Sequence, residues 1–463
     1  MNERSRNALC VVALLLLVGI FYGQTVGHDF VNWDDPWYVV QNPLIKSWSL
    51  TNLKGIATEV VTRNYAPVTI FSYLVDHTFY GLWAGGYHLT NVLLHGLNVV
   101  LVFVLLKRLT GSRSVALMTA ALFAAHPIQI ETVAWISSRK GLLSAAFMLS
   151  ALICWLRPVR SERHDMLGLS FFALALLSKA IAVVLPAIVL AYDVYVQRKQ
   201  IAESIARQFL PGVMAVCLLL ITMSAQVTQI GGVRGHMGLS KLEILGIDTV
   251  LLWQYIGMLI RPGELCVLYD PPTSGIAGLI TISTLAWGAV SVAVYRSRER
   301  YPLLAFAAIC AVVLMVPVLN LFPLTTLMND RYLYLPCIPV FAVAAVGLSK
   351  VLDWTLRPTV PGIDNTVSVP RAWLPTLVTA ILVVLCHSKS SEYLPVWKND
   401  QSLWEYTYTQ APQIPAVRIQ YANSLHNDGR DPQACNVLKE TLARYSPDDL
   451  DRQRIEQKLD AWQ

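Results

Sequence analysis

Two acids stand side by side in the run Phe30-Val31-Asn32-Trp33-Asp34-Asp35-Pro36, with aromatics on either side. Neighbouring carboxylates repel each other, and burying one without a partner is costly. A carboxylate at the edge of an apolar layer is also well placed to take a proton from a bound hydroxyl. The plainer alternative is a solvated loop in which the acid before Pro36 starts a helix.

Cations occur where such a base would need them. In the run His126 to Lys140, Glu131 is a carboxylate at membrane depth. Arg139 and Lys140 open the next helix, where side-chain charge and backbone N–H groups together can hold an anion such as phosphate. Lipid head groups would satisfy the same two cations. His126, before Pro127, reads equally as a buried hydrogen-bonded residue or as an acid–base group. In the run Asn329 to Pro336, Arg331 is a permanently charged planar donor suited to phosphate, or else a local partner of Asp330. Lys179 lies in a tight turn between apolar segments, from which it snorkels outward or meets the same anion. Acids and cations of this kind fit transfer of a group from a lipid-phosphate donor. The carboxylate deprotonates the acceptor and the cations neutralise the departing phosphate. The sequence has no cluster of metal ligands, so no metal or other cofactor is assigned, although adjacent acids leave a divalent cation open. Eight cysteines without paired spacing give neither a zinc site nor a disulfide framework.

These residues must be positioned by membrane helices. The 463-residue chain is 55% hydrophobic and 14% charged, well below the charge of a soluble domain. Its net charge of +6 sits in short clusters between apolar runs, where it sets topology rather than marking a nucleic-acid partner. Crossings are expected near 8–25, 88–106, 114–130, 141–156, 165–178, 180–196, 208–226, 276–295, 302–321, 333–352 and 372–388, about 11 in all. The first resembles a signal sequence without a cleavage site and is read as a retained helix. Arg4 and Arg6 put the N-terminus in the cytoplasm, and the clusters at 107–113, 157–163, 198–207, 296–300 and 350–371 follow on the same side. Parity then requires 244–262 to lie on, or dip into, the outer face. The stretches 26–87, 131–140, 227–275 and 321–332 converge outside. The tail 389–463 is also outside. Its helix–turn–helix pattern, with Gly429 at the turn and Pro447 closing, fits one tetratricopeptide repeat or an ordinary helical hairpin packed on 390–412. The fold class is therefore an all-α polytopic membrane protein, divided into a transmembrane domain, 1–389, and a small helical tail, 390–463.

Several ordered motifs resemble those of the transmembrane-and-tetratricopeptide-repeat O-mannosyltransferases, within the GT-C glycosyltransferases that also include the protein O-mannosyltransferases. They are Phe30-Val-Asn-Trp-Asp-Asp35, Tyr87-His-Leu-Thr-Asn-Val-Leu-Leu-His-Gly-Leu-Asn98, His126-Pro with Glu131 to Lys140, and Arg331-Tyr-Leu-Tyr-Leu-Pro336. The resemblance covers most of 20–390. It implies a polyprenyl- or dolichyl-phosphate sugar donor, inverting transfer on the lumenal or periplasmic side, and a catalytic acid at Asp34 or Asp35. Glu131 is expected to shape or charge the site, and Arg139, Lys140, Arg331 and Lys179 to hold the donor phosphate. Trp33, His88, His126 and Tyr332 are expected to line the site. The chain departs from the family in its short tail and in having Tyr65-Ala66-Pro67 where many relatives carry Tyr-Arg-Pro. The short tail looks bacterial, which makes the location the inner membrane and the outer side the periplasm.

The expected function is transfer of one sugar to a Ser or Thr hydroxyl of an exported protein, with a lipid or glycan acceptor as the alternative. A lipid-linked sugar transporter would need repeated halves, and no internal repeat stands out. A non-enzymatic scaffold built on the tail is the remaining class.

Overall fold

In lipid a backbone must satisfy its own hydrogen bonds, so long apolar segments fold as helices. The computed structural model describes residues 2–62, 64–230, 239–321, 326–355, 373–445 and 449–462. Parts of the expected outer stretches (231–238 and 322–325), Arg357, Arg371 and the helix-closing Pro447 lie outside the described residues. Among the described residues there is no strand, only an isolated bridge between Val61 and Asn64.

The first helix, α1 (Glu3–Tyr22), leads into a long loop that carries α2 (Leu50–Thr58) and α3 (Pro67–Tyr80). Then come α4 (Ala84–Thr110), α5 (Arg113–Ala125), the short α6 (Ile130–Ala134) and α7 (Arg139–Trp155). Next are α8 (Glu162–Ser178), α9 (Leu185–Ala191), α10 (Ile201–Arg207), α11 (Phe209–Ile230) and α12 (Lys241–Ile260). The bundle ends with α13 (Ala277–Ser297), α14 (Pro302–Met315), α15 (Cys337–Thr355) and α16 (Trp373–Tyr393). The tail holds α17 (Asp400–Gln410), α18 (Pro415–Asn427), α19 (Asp431–Arg444) and α20 (Asp449–Trp462).

Local chemistry sets the boundaries that matter. Helix α4 ends at Gly111, whose φ of 67° is the left-handed cap that glycine adopts without strain, with Lys107 and Arg108 in the last turn. Ser112 then caps α5 by accepting from the Val115 N–H. Helices α7 and α8 pack closely because Gly168 has no side chain; a Cβ there would overlap the Trp155 ring.

Among the described residues six helices are long and apolar enough to cross a membrane, or seven if α10 and the part of α11 up to Ser224, bent by 54°, count as one span. Other expected crossings are shorter: Arg113–Ala125, Ala180–Val196, Pro302–Val318 and Cys337–Val351. Proline accounts for part of this. Pro127 follows the end of α5, Pro186 lies in a segment divided into 3-10, α and π turns, and Pro317 ends α14 in a 3-10 turn. The segment laid on the outer face, 244–262, belongs to α12, a 20-residue helix long enough to cross.

In the tail, α18 and α19 form a hairpin turned at Gly429, with φ of 73°. Ala422, Leu425, Ala434 and Leu438 fill its interface, and Ile455 and Leu459 of α20 cover it. Trp404 of α17 and Val417 of α18 belong instead to the main core, so the tail is continuous with the bundle.

Candidate functional site

One face of α4 builds the floor of the site. His88, Asn91, His95 and Asn98 recur at three- and four-residue spacing, which puts them on one stripe, and all are buried. The Asn91 amide donates to the carbonyls of Val133, at 3.3 Å, and Trp135, at 3.2 Å. Asn98 donates to the Leu142 carbonyl and to the Tyr334 hydroxyl, each at 3.0 Å. His95 Nδ1 lies 2.8 Å from the same hydroxyl. The stripe thus grips the turn between α6 and α7 and the start of the α15 region together. Buried polar groups need such partners, and here each side chain has at least one.

The two adjacent acids separate into different roles. Asp35 is 1% exposed. It accepts from the Val31 N–H at 3.0 Å, from the Ser137 N–H at 3.0 Å and from the Ser137 hydroxyl. Burial pushes its carboxyl up to about 7, against the pull of those three donors. It ties the first loop to the turn before α7. Asp34 keeps 29% of its side chain exposed, and its Oδ2 lies 3.6 Å from Lys140 Nζ.

The cations separate in the same way. Arg139 is 0% exposed and faces away from the acids. It pairs with Asp76 of α3 at 2.5 Å, donates to Asn91 Oδ1 and the Tyr87 carbonyl, and lies 4.6 Å above the Tyr73 ring. The expectation is that Arg139 holds the donor phosphate; here its charge is paired with Asp76. Consecutive residues on a helix point in different directions. Arg139 faces α3 and α4, where a buried carboxylate takes up its charge.

Lys140 faces Asp34. Its ammonium is 3.3 Å from the Tyr38 hydroxyl and sits over the Tyr38 ring at 4.7 Å. Trp135 links it to the other cation: Lys140 lies 5.9 Å and Arg331 5.3 Å from the Trp135 ring. Arg331 forms an ion pair with the buried Glu131, which also accepts from the Arg331 backbone N–H at 2.8 Å. Asp34 is near enough to add to the field at Arg331. Lys179 Nζ lies against Gly141, 3.8 Å from where a Cβ would stand. It has no hydrogen-bond or ion-pair partner among the described residues. Burial pushes its ammonium down to about 7; Lys140 and Arg331 add to that, and Glu131 opposes it.

Of the residues expected to line the site, Tyr332 has the Arg331 guanidinium 5.5 Å from its ring. Trp33 follows Asn32 in the loop but turns its ring to Trp404, at 5.3 Å. The other two are structural. His126 Nδ1 accepts from the Ile128 N–H at 3.2 Å and its Nε2 meets the Leu259 carbonyl at 3.2 Å. His88 Nε2 lies 3.4 Å from the Asp29 carbonyl.

Residues outside the expected site set complete the picture. Asp76 is the partner of Arg139, and Ser137 anchors Asp35. Asp330, directly before Arg331, accepts from the hydroxyls of Tyr269 and, at 3.4 Å, Tyr393. Burial pushes its carboxyl well above the usual range, and neighbouring Glu131 adds to this. The α4 stripe was visible as spacing; the others carry no local signal. Taken together, one partly exposed acid, Asp34, and three cations of the expected set, Lys140, Arg331 and Lys179, lie near one another around Trp135 and Tyr38. Among the described residues no group of His, Cys, Asp and Glu is arranged to hold a metal ion.

No protein-family profile matches the sequence. Human protein O-mannosyl-transferase TMTC1 is 23% identical over 509 aligned residues, covering 94% of this chain and 55% of the relative. Mouse TMTC3, also named a protein O-mannosyl-transferase, is 24% identical over 62% of this chain and 36% of its own length. Xenopus laevis protein O-mannosyl-transferase tmtc2 is 33% identical over a shorter stretch, 30% of this chain and 17% of its own length. The chain therefore spans about half the length of human TMTC1. Among solved structures, the oligosaccharyltransferase of Archaeoglobus fulgidus superposes with a TM-score of 0.48 at 13% identity, over 84% of this chain and 55% of that one. ArnT from Cupriavidus metallidurans, solved with undecaprenyl phosphate, gives a TM-score of 0.42 at 13% identity, over 96% and 82%. Over nearly its whole length the chain is similar in sequence to the transmembrane-and-tetratricopeptide-repeat O-mannosyltransferases, as its motifs imply.

Proposed function

We propose that this chain is an integral membrane glycosyltransferase that moves one sugar from a polyprenyl-phosphate donor to a Ser or Thr hydroxyl of an exported protein. The relatives are named protein O-mannosyl-transferases, so a mannosyl donor is the first to test. The observation that carries the reading is the 3.6 Å approach of Asp34 to Lys140, with Arg331 across the same Trp135 ring. It brings a partly exposed base next to a phosphate cradle.

In this mechanism Asp34 takes the proton of the acceptor hydroxyl as that oxygen attacks the anomeric carbon. The bond from that carbon to the phosphate oxygen breaks on the opposite face, so configuration inverts. The departing polyprenyl phosphate keeps the electron pair, and Lys140, Arg331 and Lys179 neutralise it. Glu131 fixes Arg331 through its side chain and its backbone. Asp35 positions the loop and stays out of the proton transfer.

The site end faces the periplasm of the inner membrane, the N-terminus is cytoplasmic, and the bundle makes about 11 crossings. Three contacts of α12 support its lying along the site end rather than passing through. Leu259 meets His126, Tyr255 accepts from the Asn329 N–H, and Asp248 accepts from Asn320 at 2.8 Å. The 390–463 tail is read as a tetratricopeptide-like unit on the same side.

The test is transfer of mannose from a polyprenyl-phosphate donor to a Ser/Thr peptide in membranes carrying single variants. Asp34→Asn is expected to lower kcat by about 10²–10⁴-fold, the usual worth of a general base. Asp35→Asn is expected to lower the amount of folded protein more than the turnover of what remains. Wild-type turnover in Asp34→Asn would remove the base assignment, and wild-type turnover in both would remove the reaction class.

A further inference from the structure

The proposed chemistry depends on two segments far apart in sequence: residues 29–35, which carry the base, and residues 329–332, which carry Arg331. Both are fastened to one stretch near the C-terminus, 393–404. On the base side, the Asp29 N–H donates to the Lys398 carbonyl at 2.8 Å, and the Asn32 N–H donates to the Asp400 carboxylate. The Trp33 ring, just before Asp34, meets Trp404 edge-on at 5.3 Å. On the cation side, the Tyr393 hydroxyl donates to Asp330 at 3.4 Å. Trp397 lies 6.2 Å from Trp135, the ring that faces both Lys140 and Arg331. Tyr393, Trp397 and Trp404 are all buried.

This stretch is itself rigidly set. Asn399 caps α17 by accepting from the Ser402 N–H at 3.0 Å, and Ser402 returns a contact to the Asn399 N–H. Asp400 is the first residue of that helix, where a carboxylate is favoured by the helix dipole. A side chain on a capped first turn thus reaches a loop amide two residues before the proposed base.

We propose that residues 393–404 form a positioning strut that fixes the spacing between the base and the phosphate cradle, with Asp400 as its principal positioning residue. The strut touches neither donor nor acceptor. It rests on the reading of Asp34 as the base, and its effect is geometric. Displacing a reacting group by about 1 Å costs about 10²-fold in rate.

The experiment uses the full chain in nanodiscs, with polyprenyl-phosphate mannose as donor and a Ser/Thr peptide as acceptor. Asp400→Ala is expected to lower kcat by about 10²-fold while donor KM stays within about twofold. Asp400→Asn keeps a carbonyl oxygen that accepts the Asn32 N–H, so it is expected to restore kcat to near wild type. A purely stabilising role would instead lower the folded fraction and leave kcat per folded molecule unchanged. Hydrogen–deuterium exchange of the 28–33 peptide provides a measurement on the wild-type chain. Slow exchange is expected there, and faster exchange in Asp400→Ala. The strut is overturned if Asp400→Ala keeps wild-type kcat, if Asp400→Asn is as impaired as Asp400→Ala, or if the wild-type peptide exchanges as a free loop. Failure of the underlying reading looks different: Asp34→Asn would keep its turnover, whatever the exchange pattern of residues 28–33.

Discussion

The two ends of the bundle treat charge in opposite ways. At the end away from the site, Asp193 is buried and both its carboxylate oxygens are taken, by Arg160 at 3.1 Å and Lys199 at 3.1 Å. The Lys199 N–H closes the same knot by donating to the Asp193 carbonyl at 3.0 Å. At the site end the one ion pair of Asp34 is looser, at 3.6 Å, and the Lys179 ammonium has no hydrogen-bond or ion-pair partner among the described residues. Charge held for structure is satisfied on every side. Charge left over, next to an exposed acid, has capacity for a ligand. Arg139 and Lys140 repeat this contrast within two residues: the first is wrapped by Asp76, Asn91 and Tyr87, while the second reaches Tyr38 and the loose Asp34.

The sharpest way to break this comparison is to remove one acid from each end. Asp193→Asn leaves Arg160 and Lys199 without their carboxylate in a buried place. Breaking such a pair from one side costs about 3–5 kcal/mol. Thermal unfolding in detergent should show that loss, with kcat per folded molecule unchanged. Asp34→Asn should move the unfolding midpoint less, because its carboxylate is partly exposed and stands 3.6 Å from Lys140, which keeps the Tyr38 hydroxyl as a partner. Equal destabilisation by the two changes would erase the distinction between the ends.

Sequence legibility follows the same division. Apolar runs announce the helices, and base-and-cation logic points to the pair Asp34 and Asp35 with Arg139, Lys140, Arg331 and Lys179, leaving open which members meet; in the structure Asp34 and Lys140 stand 3.6 Å apart. The different surroundings of Arg139 and Lys140 are not legible, because nothing local distinguishes the two. The partner of Arg139, Asp76, lies on α3, where it looks like one more polar residue of an interfacial helix. Which of Asp34 and Asp35 is buried is likewise set by Ser137, far along the chain. The α4 stripe is legible as spacing, because polar residues three and four apart on an apolar helix must face a common partner. The strut residues Asp400 and Trp404 are not legible: a first-turn Asp and a buried Trp occur in any docked helix. The extent of α12 is legible as an apolar run, but parity from positive charge chooses only its side, and its length is fixed by packing on α13, where Trp253 stacks on Trp287 at 4.4 Å.

A smaller effect tests the cradle. Lys140→Gln keeps the side chain's reach and removes its charge. A charge-assisted contact is worth about 1.5–3 kcal/mol, so donor KM should rise by about 10–100-fold, with a modest change in kcat. Arg139→Gln should do the reverse, lowering folded protein and leaving donor KM unaltered. If Arg139→Gln instead raises donor KM while the protein stays folded, the buried member of the pair reaches the donor after all.

The smallest effect is a pH dependence. Lys179 faces Lys140 from α7, and Arg331 and Glu131 from the opposite side, and its ammonium is pushed down to about 7, first by burial. A lowered amine is charged below that value and neutral above it. The third cation of the cradle is therefore present at pH 6 and lost by pH 8, so donor KM should rise across that window. The size should be about three- to tenfold, that of a partly screened contact between a cation and a phosphate. Asp35 also titrates near about 7, but it makes no donor contact and should act on stability or kcat. Lys179→Gln separates the two: it should give a high donor KM that is flat between pH 6 and 8, while any Asp35 step in kcat remains. Lys179→Arg should also be flat, but low, because guanidinium stays charged. A donor KM in the wild-type protein that does not change between pH 6 and 8 would show that Lys179 takes no part in holding the donor. The unpartnered charge that separates the site end from the opposite end would then have no use in the reaction.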